Sequence, residues 1–264
     1  MQAITDDLVA EHAALDRVVA GLSDEGWRTA TPAAGWDVRD CVSHLWFFDV
    51  RALMALDPAT VDDFRRDAEQ LLASMVGGVG PDVREGRAIS PAVLLARWRT
   101  DRERLVAQAR ITDPSARIPW YGPAMAARSF ITARVMETWA HGQDVRDALG
   151  VAPEVSDRLR HVAHIGVRAR AFAYANNGRE MPAGDVRVEL RGPGGDVWAW
   201  GDEAATDAIR GEAIDFCLMV TQRRHVADTG LQVSGALAEE WISIAQAFAG
   251  PPGPGRKAGQ FPQR

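Results

Sequence analysis

The sequence predicts an α+β protein, with a helical bundle over residues 1–178, a smaller α+β domain over 179–250 and a flexible tail over 251–264. Three observations carry this. Apolar residues recur every three or four positions up to residue 178, which is the spacing of one helix face. After residue 180 the period falls to two, as in a strand with one buried face. From Gly250 the run Pro-Pro-Gly-Pro-Gly-Arg-Lys-Ala-Gly259 holds too much Gly and Pro to order alone.

In chain order, Ile4, Leu8, Leu15, Val18, Val19 and Leu22 define a first helix. Asp37 is a natural N-cap for a second, whose stripe is Val38, Val42, Leu45, Asp49, Leu53 and Leu56. Pro58 suits the N1 position of a third helix running to Leu72 or Met75. Ser90-Pro91 reads as cap and N1 of a fourth, carrying Leu94, Leu95, Trp98, Leu105 and Val106. A loop through Asp113-Pro114 and Trp120-Tyr-Gly-Pro123 leads to a long helix from about 124 to 149, stopped by Gly150. A further helix is expected from about Pro153 to Ala175, ending at Asn176-Asn177-Gly178. Val186, Val188 and Leu190 then alternate with charged residues. The turn Gly192–Asp196 returns the chain as Val197-Trp-Ala-Trp-Gly201, completing a hairpin. A third strand falls near Asp207–Arg210 and a fourth at Leu231–Gly235. Helices at Glu212–Arg223 and around Leu237, Trp241, Ile244 and Phe248 cover the sheet. Helices joined by modest loops form an up-and-down bundle, where sites are built from side chains on facing helices.

Composition excludes several functions. Of 264 residues 47% are apolar and 25% charged, as in an ordinary globular protein. The net charge of -6 comes without any basic block, which argues against nucleic acid as partner. No apolar run approaches a bilayer span, and Met-Gln-Ala-Ile-Thr-Asp-Asp7 has neither a basic nor an apolar signal region, so a cytoplasmic protein without membrane attachment is expected. The two cysteines, Cys41 and Cys217, lie in apolar helices and are expected as buried thiols. Cys41, one turn before His44, is a reserve ligand.

The chemistry concentrates in two segments. Glu137 and His141 stand four residues apart in Met136-Glu-Thr-Trp-Ala-His-Gly-Gln-Asp144, and so share a helix face. On spacing alone such a pair is more often a surface ion pair than a ligand pair. His44, in the second helix, is the candidate third ligand. Two imidazoles and a carboxylate hold a divalent ion such as zinc and leave a fourth position open, as catalytic sites do. Asp40 and Asp144 are placed to orient the imidazoles, and surface solvation is the competing role for both. His161 and His164 are expected to be exposed. Trp198 and Trp200 are expected in the core rather than as a ligand cage, and Glu11 falls near the middle of an apolar stripe, where a charge needs a partner.

The segment Thr31-Pro-Ala-Ala-Gly-Trp-Asp-Val-Arg-Asp-Cys-Val-Ser-His44 resembles the first metal signature of the mycothiol-dependent maleylpyruvate isomerase family, within the DinB-like helical bundles. Met136–Val145 resembles the second. Phe216–His225 and Glu240–Pro252 resemble an actinobacterial branch of the same group, so the likeness covers nearly the whole chain. It implies a DinB-like bundle followed by a sterol-carrier-like α+β domain. His44, Glu137 and His141 fall on the family's metal ligands, the metal being zinc, and Arg223 or Arg224 falls in the region of a catalytic arginine. The implied partners are mycothiol and a small electrophilic or unsaturated substrate. Bound to zinc, the thiol becomes a thiolate nucleophile for cis-trans isomerisation or for S-transfer. Two other functions are compatible with the same residues: a binding protein in which the metal only cross-links helices and the sheet domain holds an apolar ligand, and a metal-dependent hydrolase.

Overall fold

The computed structural model describes residues 1–74 and 79–261. Contacts divide the chain into two units, Met1–Glu154 and Val155–Arg264. The first is helical. It contains α1 (Gln2–Val19), the short α2 (Asp24–Trp27), α3 (Val38–Leu56), α4 (Val61–Ser74), α5 (Pro81–Arg87), α6 (Pro91–Ile111), the two-stranded β1 (Arg117–Ile118) and β2 (Met125–Ala126), and α7 (Ala127–Leu149). α3 packs on α4, α5, α6 and α7, and α1 packs on α6 and α7. Most residues of the stripes read from sequence are buried, while Val18, Leu22 and Leu53 are half-buried against them. Ile4, Leu8, Phe64, Leu105, Phe130 and Ile131 form one core cluster, and Leu15, Val38, Leu45, Leu94, Trp98 and Val145 another.

Local chemistry sets the ends of these helices. Asp37 caps α3 by accepting from Asp40 N at 2.9 Å, while Asp40 Oδ2 accepts from Asp37 N at 3.0 Å, a reciprocal capping box. Ser90 caps α6 with Pro91 behind it, and Gly150 closes α7 in the left-handed conformation at φ 66°. α4 begins at Val61 rather than at Pro58, because the Asp57 side chain captures Ala59 N at 2.9 Å and turns the chain first. The expected end of that helix at Met75 lies outside the described residues, as do tail residues 262–264. α2, α5 and the β1–β2 pair are additions to the expected elements.

The second unit holds α8 (Leu159–Arg168), α9 (Arg170–Asn176), β3 (Val186–Arg191), β4 (Val197–Trp200), β5 (Asp207–Glu212), α10 (Ala213–Val220), a 3-10 turn (Val226–Asp228), β6 (Gln232–Ser234) and α11 (Ala236–Ile244). The sheet order is β4-β3-β5-β6, and β3 runs parallel to β5 with Val188 opposite Ile209. One face buries Val186, Val188, Leu190 and Trp198 toward α10 and α11, so the α+β class is as expected. The opposite face carries charges: Glu189 accepts from Arg187 and from Arg210, and Arg191 pairs with Glu212.

The sequence puts the domain boundary at 178, whereas contacts group α8 and α9 with the sheet. The single helix expected over 153–175 starts at Leu159 and breaks at Ala169. Its first residues cannot coil, because α7 side chains occupy their carbonyls: Trp139 Nε1 donates to Glu154 O at 3.0 Å and Arg146 to Ala152 O at 3.1 Å. The tail, expected to be flexible, is tied down as far as Phe261. Asp228 accepts from Gly259 N at 2.7 Å and from Phe261 N at 3.3 Å, and the Arg224 guanidinium lies 4.1 Å from the centre of the Phe261 ring. No described helix is long and apolar enough to cross a membrane.

Candidate metal centre

The capping box fixes the first turn of α3, and His44 projects from its second turn. Glu137 and His141 project from successive turns of α7, which packs along α3. The three side chains therefore meet across the α3–α7 seam. His141 Nε2 lies 3.6 Å and His44 Nε2 4.0 Å from the same oxygen, Glu137 Oε2. The imidazole centres are 4.5 Å apart, and one donor atom from each residue lies within 4.8 Å of the others. A tetrahedral ion with bonds of about 2.1 Å separates its donors by roughly 3.4 Å, so this N, N, O set needs only small shifts to hold one. The side chains are 18%, 21% and 12% exposed for His44, Glu137 and His141, so the cluster is reachable from solvent.

Behind each imidazole stands a carboxylate. His44 Nδ1 is 2.8 Å from Asp82 Oδ2, and His141 Nδ1 is 3.4 Å from Asp144 Oδ2. Asp144 thus has the place expected of it. Asp40 does not: its oxygens are committed to the α3 cap and to Arg87, which donates at 2.9 and 2.6 Å. Asp82, on α5, stands beside His44 instead. Cys41 groups with His141 and Asp144, and not with His44 and Glu137.

Burial lowers the pKa of His44, and the neighbouring charge of His141 adds to this, against the opposing hydrogen bond to Asp82. Burial pushes Glu137 up, but the hydrogen bond from His141 and the charges of His141, His44 and Arg134 outweigh it and hold the carboxyl at about 2. At neutral pH the cluster therefore offers an ionised carboxylate beside an imidazole biased toward its neutral form, the states that bind metal. Aromatic rings wall it. Trp36 stacks on His141 at 5.6 Å and 17° and tilts toward His44 at 5.2 Å, while Phe48 packs on His44 at 4.6 Å.

Arg223 and Arg224 belong to the second unit. Arg223 is buried, donates to Thr221 O at 2.7 Å and lies 5.9 Å from the Phe248 ring centre. Arg224 donates to Arg223 O and covers Phe261. Of the other singled-out residues, Glu11 is buried and its charge acts on Arg146, and Trp198 is core. His164 is exposed and accepts from Trp200 Nε1 at 3.3 Å. Sequence reasoning missed Asp82. Gly80-Pro81-Asp82 is a helix-start signal that would have revealed α5, although not its pairing with a residue 38 positions earlier.

Residues 8–146 match the family described as mycothiol maleylpyruvate isomerase N-terminal domain. Two uncharacterized proteins of Mycobacterium tuberculosis, from strains CDC 1551 and ATCC 25618, are each 45% identical over 251 residues, spanning 95% of this chain and 96% of theirs. Two crystal structures of the mycothiol-dependent maleylpyruvate isomerase, one of them a mutant, share the fold. Each has a TM-score of 0.57 at 15% identity, with 88% of this chain and 92% of that one covered.

Proposed function

The chain belongs to the mycothiol maleylpyruvate isomerase N-terminal domain family, and from that premise we propose that it is a metal-dependent, thiol-using enzyme acting on a small electrophilic or unsaturated substrate. The observation that carries this is the convergence of His44 Nε2 and His141 Nε2 on one oxygen of Glu137, with a carboxylate behind each ring. A surface ion pair needs neither the third residue nor the backing carboxylates. His44, Glu137 and His141 would hold a divalent ion, zinc being well suited to two nitrogens and one oxygen. The ion would supply Lewis acidity, which would favour the thiolate form of a bound thiol, mycothiol by the family's description, at neutral pH.

The chain's own residues supply position and enclosure. The α3 and α7 backbones fix the direction of the donors. Trp36 and Phe48 pack against the imidazoles and would present an apolar surface to a substrate beside them. A thiolate there would add to an activated double bond; rotation about the resulting single bond and expulsion of the thiolate would give cis-trans isomerisation, whereas protonation of the carbanion by the proton the thiol gave up, followed by departure of the adduct, would give S-transfer. Both outcomes use the same residues. Arg223 and Arg224 remain candidates for clamping a substrate carboxylate.

Two features speak against a binding protein whose metal only ties helices together. Cys41 does not join the triad as a fourth ligand, and the sheet face away from α10 and α11 carries Arg–Glu pairs rather than an apolar surface. Metal analysis of purified wild type and of His141→Ala, with mycothiol-dependent cis-trans conversion and mycothiol consumption both followed against a panel of unsaturated acids and electrophiles, tests the proposal. Bound metal and thiol turnover in the wild type, both lost in the variant, are expected. A wild type that holds its metal and, with mycothiol present, neither isomerises nor conjugates any member of the panel would mark it as the binding protein.

A further inference from the structure

We propose that Asp82 is a positioning residue of this centre: its carboxylate accepts the Nδ1 proton of His44 and thereby holds the ring with its Nε2 lone pair turned to Glu137. The functional meaning rests on the metal-site reading above, while the ring orientation and tautomer rest on this chain's own atoms.

A carboxylate can only accept, so at 2.8 Å from Asp82 Oδ2 the His44 Nδ1 must carry the hydrogen. A neutral imidazole has one N–H, which leaves Nε2 bare, and it is Nε2 that lies on the Glu137 side at 4.0 Å. Without Asp82, rotation about the side-chain bonds and exchange of the proton between the nitrogens would both be open to His44.

Asp82 is itself held in place. Ser43 Oγ donates to the Asp82 carbonyl. Gly86 faces Ser43 so closely that a Cβ there would overlap its side chain. Arg87 forks onto Asp40, inside the capping box of α3. Three ties at 82, 86 and 87 thus clamp the seven-residue α5 to the turns of α3 that present His44. An acidic residue in a first helical turn ordinarily serves its own helix. Asp82 accepts there from Val83 N–H and also reaches across to another helix, and only 15% of its side chain is exposed.

Long-range proton–nitrogen NMR on metal-free, full-length protein tests this, with the His44 signals identified by their loss in His44→Gln. Wild type is expected as the Nδ1–H tautomer. Asp82→Ala is expected to gain the Nε2–H form and to bind Zn2+ about 10–100-fold more weakly in chelator competition. Asp82→Asn, whose amide oxygen still accepts, should keep the wild-type tautomer and lose less affinity. A merely structural role would lower the melting temperature of Asp82→Ala and leave the tautomer as it was, which overturns the proposal. Should the alanine variant fail to fold, Asp82→Leu, which offers no acceptor, decides by the same spectra: an unchanged Nδ1–H form overturns the proposal, a gained Nε2–H form supports it. A wild type that binds no Zn2+ sinks the metal reading alone, because the tautomer comparison still settles the role of Asp82.

Discussion

Asp49 sits on the apolar stripe of α3 and is fully buried there. Arg134 donates to Asp49 Oδ1 from Nε at 3.1 Å and Nη2 at 2.8 Å, Trp98 Nε1 donates to Oδ2 at 3.2 Å, and His12 Nε2 lies 3.7 Å from Oδ2. Arg134→Ala strands this carboxylate in the core and should cost about 3–5 kcal/mol, read from urea unfolding. His12 makes stability depend on pH. Burial lowers its pKa to about 4 from an ordinary 6.5, with the Asp49 charge opposing and those of Arg102 and Arg134 adding to the shift. Between pH 6.5 and 4 the unfolded chain takes up a proton that the folded chain refuses, so acidification favours unfolding. The loss is on the order of 3 kcal/mol and is complete near pH 4. Urea midpoints at pH 7 and 4.5 should show it, and His12→Gln should flatten that limb of the profile. At this scale the convergence of His44, Glu137 and His141 was legible, because i,i+4 spacing and an N-cap with its first turn are local signals. The partners of Asp49 and of His44 were not, since each lies tens of residues away and no local pattern encodes it.

Among the elements, the long helices were legible and the short ones were not. α3, α6 and α7 each carry an extended apolar pattern with a marked end, whereas α5 buries only Val83 and Gly86 and shows no periodicity to read. Yet α5 holds one of the carboxylates at the centre. Gly86→Ala forces Ser43 aside and should destabilise the chain by about 1–3 kcal/mol. Differential scanning calorimetry checks this: the melting temperature of Gly86→Ala should fall below that of the wild type. The break between 150 and 158 was hidden for a related reason: Trp139 and Arg146 take carbonyls there that a helix would have used. Hairpin chemistry at Gly192–Asp196 was local, and the β3–β4 pairing followed from it. The parallel pairing of β3 with β5 is non-local and carried no such mark.

For the molecule as a whole, order of layers and class followed from the change of period near residue 180, but the grouping of α8 and α9 with the sheet depended on tertiary contacts that periodicity does not report. An ion held between α3 and α7 binds the folded chain and not the unfolded one, so it should raise the melting temperature. At a free concentration of 100 times Kd the stabilisation is about 2.7 kcal/mol. Thermal scans with Zn2+ and after chelation should differ in wild type and coincide in His141→Ala. The α3–α7 seam also sets a timetable. Roughly ninety residues separate His44 from Glu137, and synthesis at about 5–20 residues per second leaves the first histidine waiting on the order of ten seconds for its companions to leave the ribosome. During that interval the nascent chain offers a passing ion only scattered donors, so loading waits until α7 has emerged.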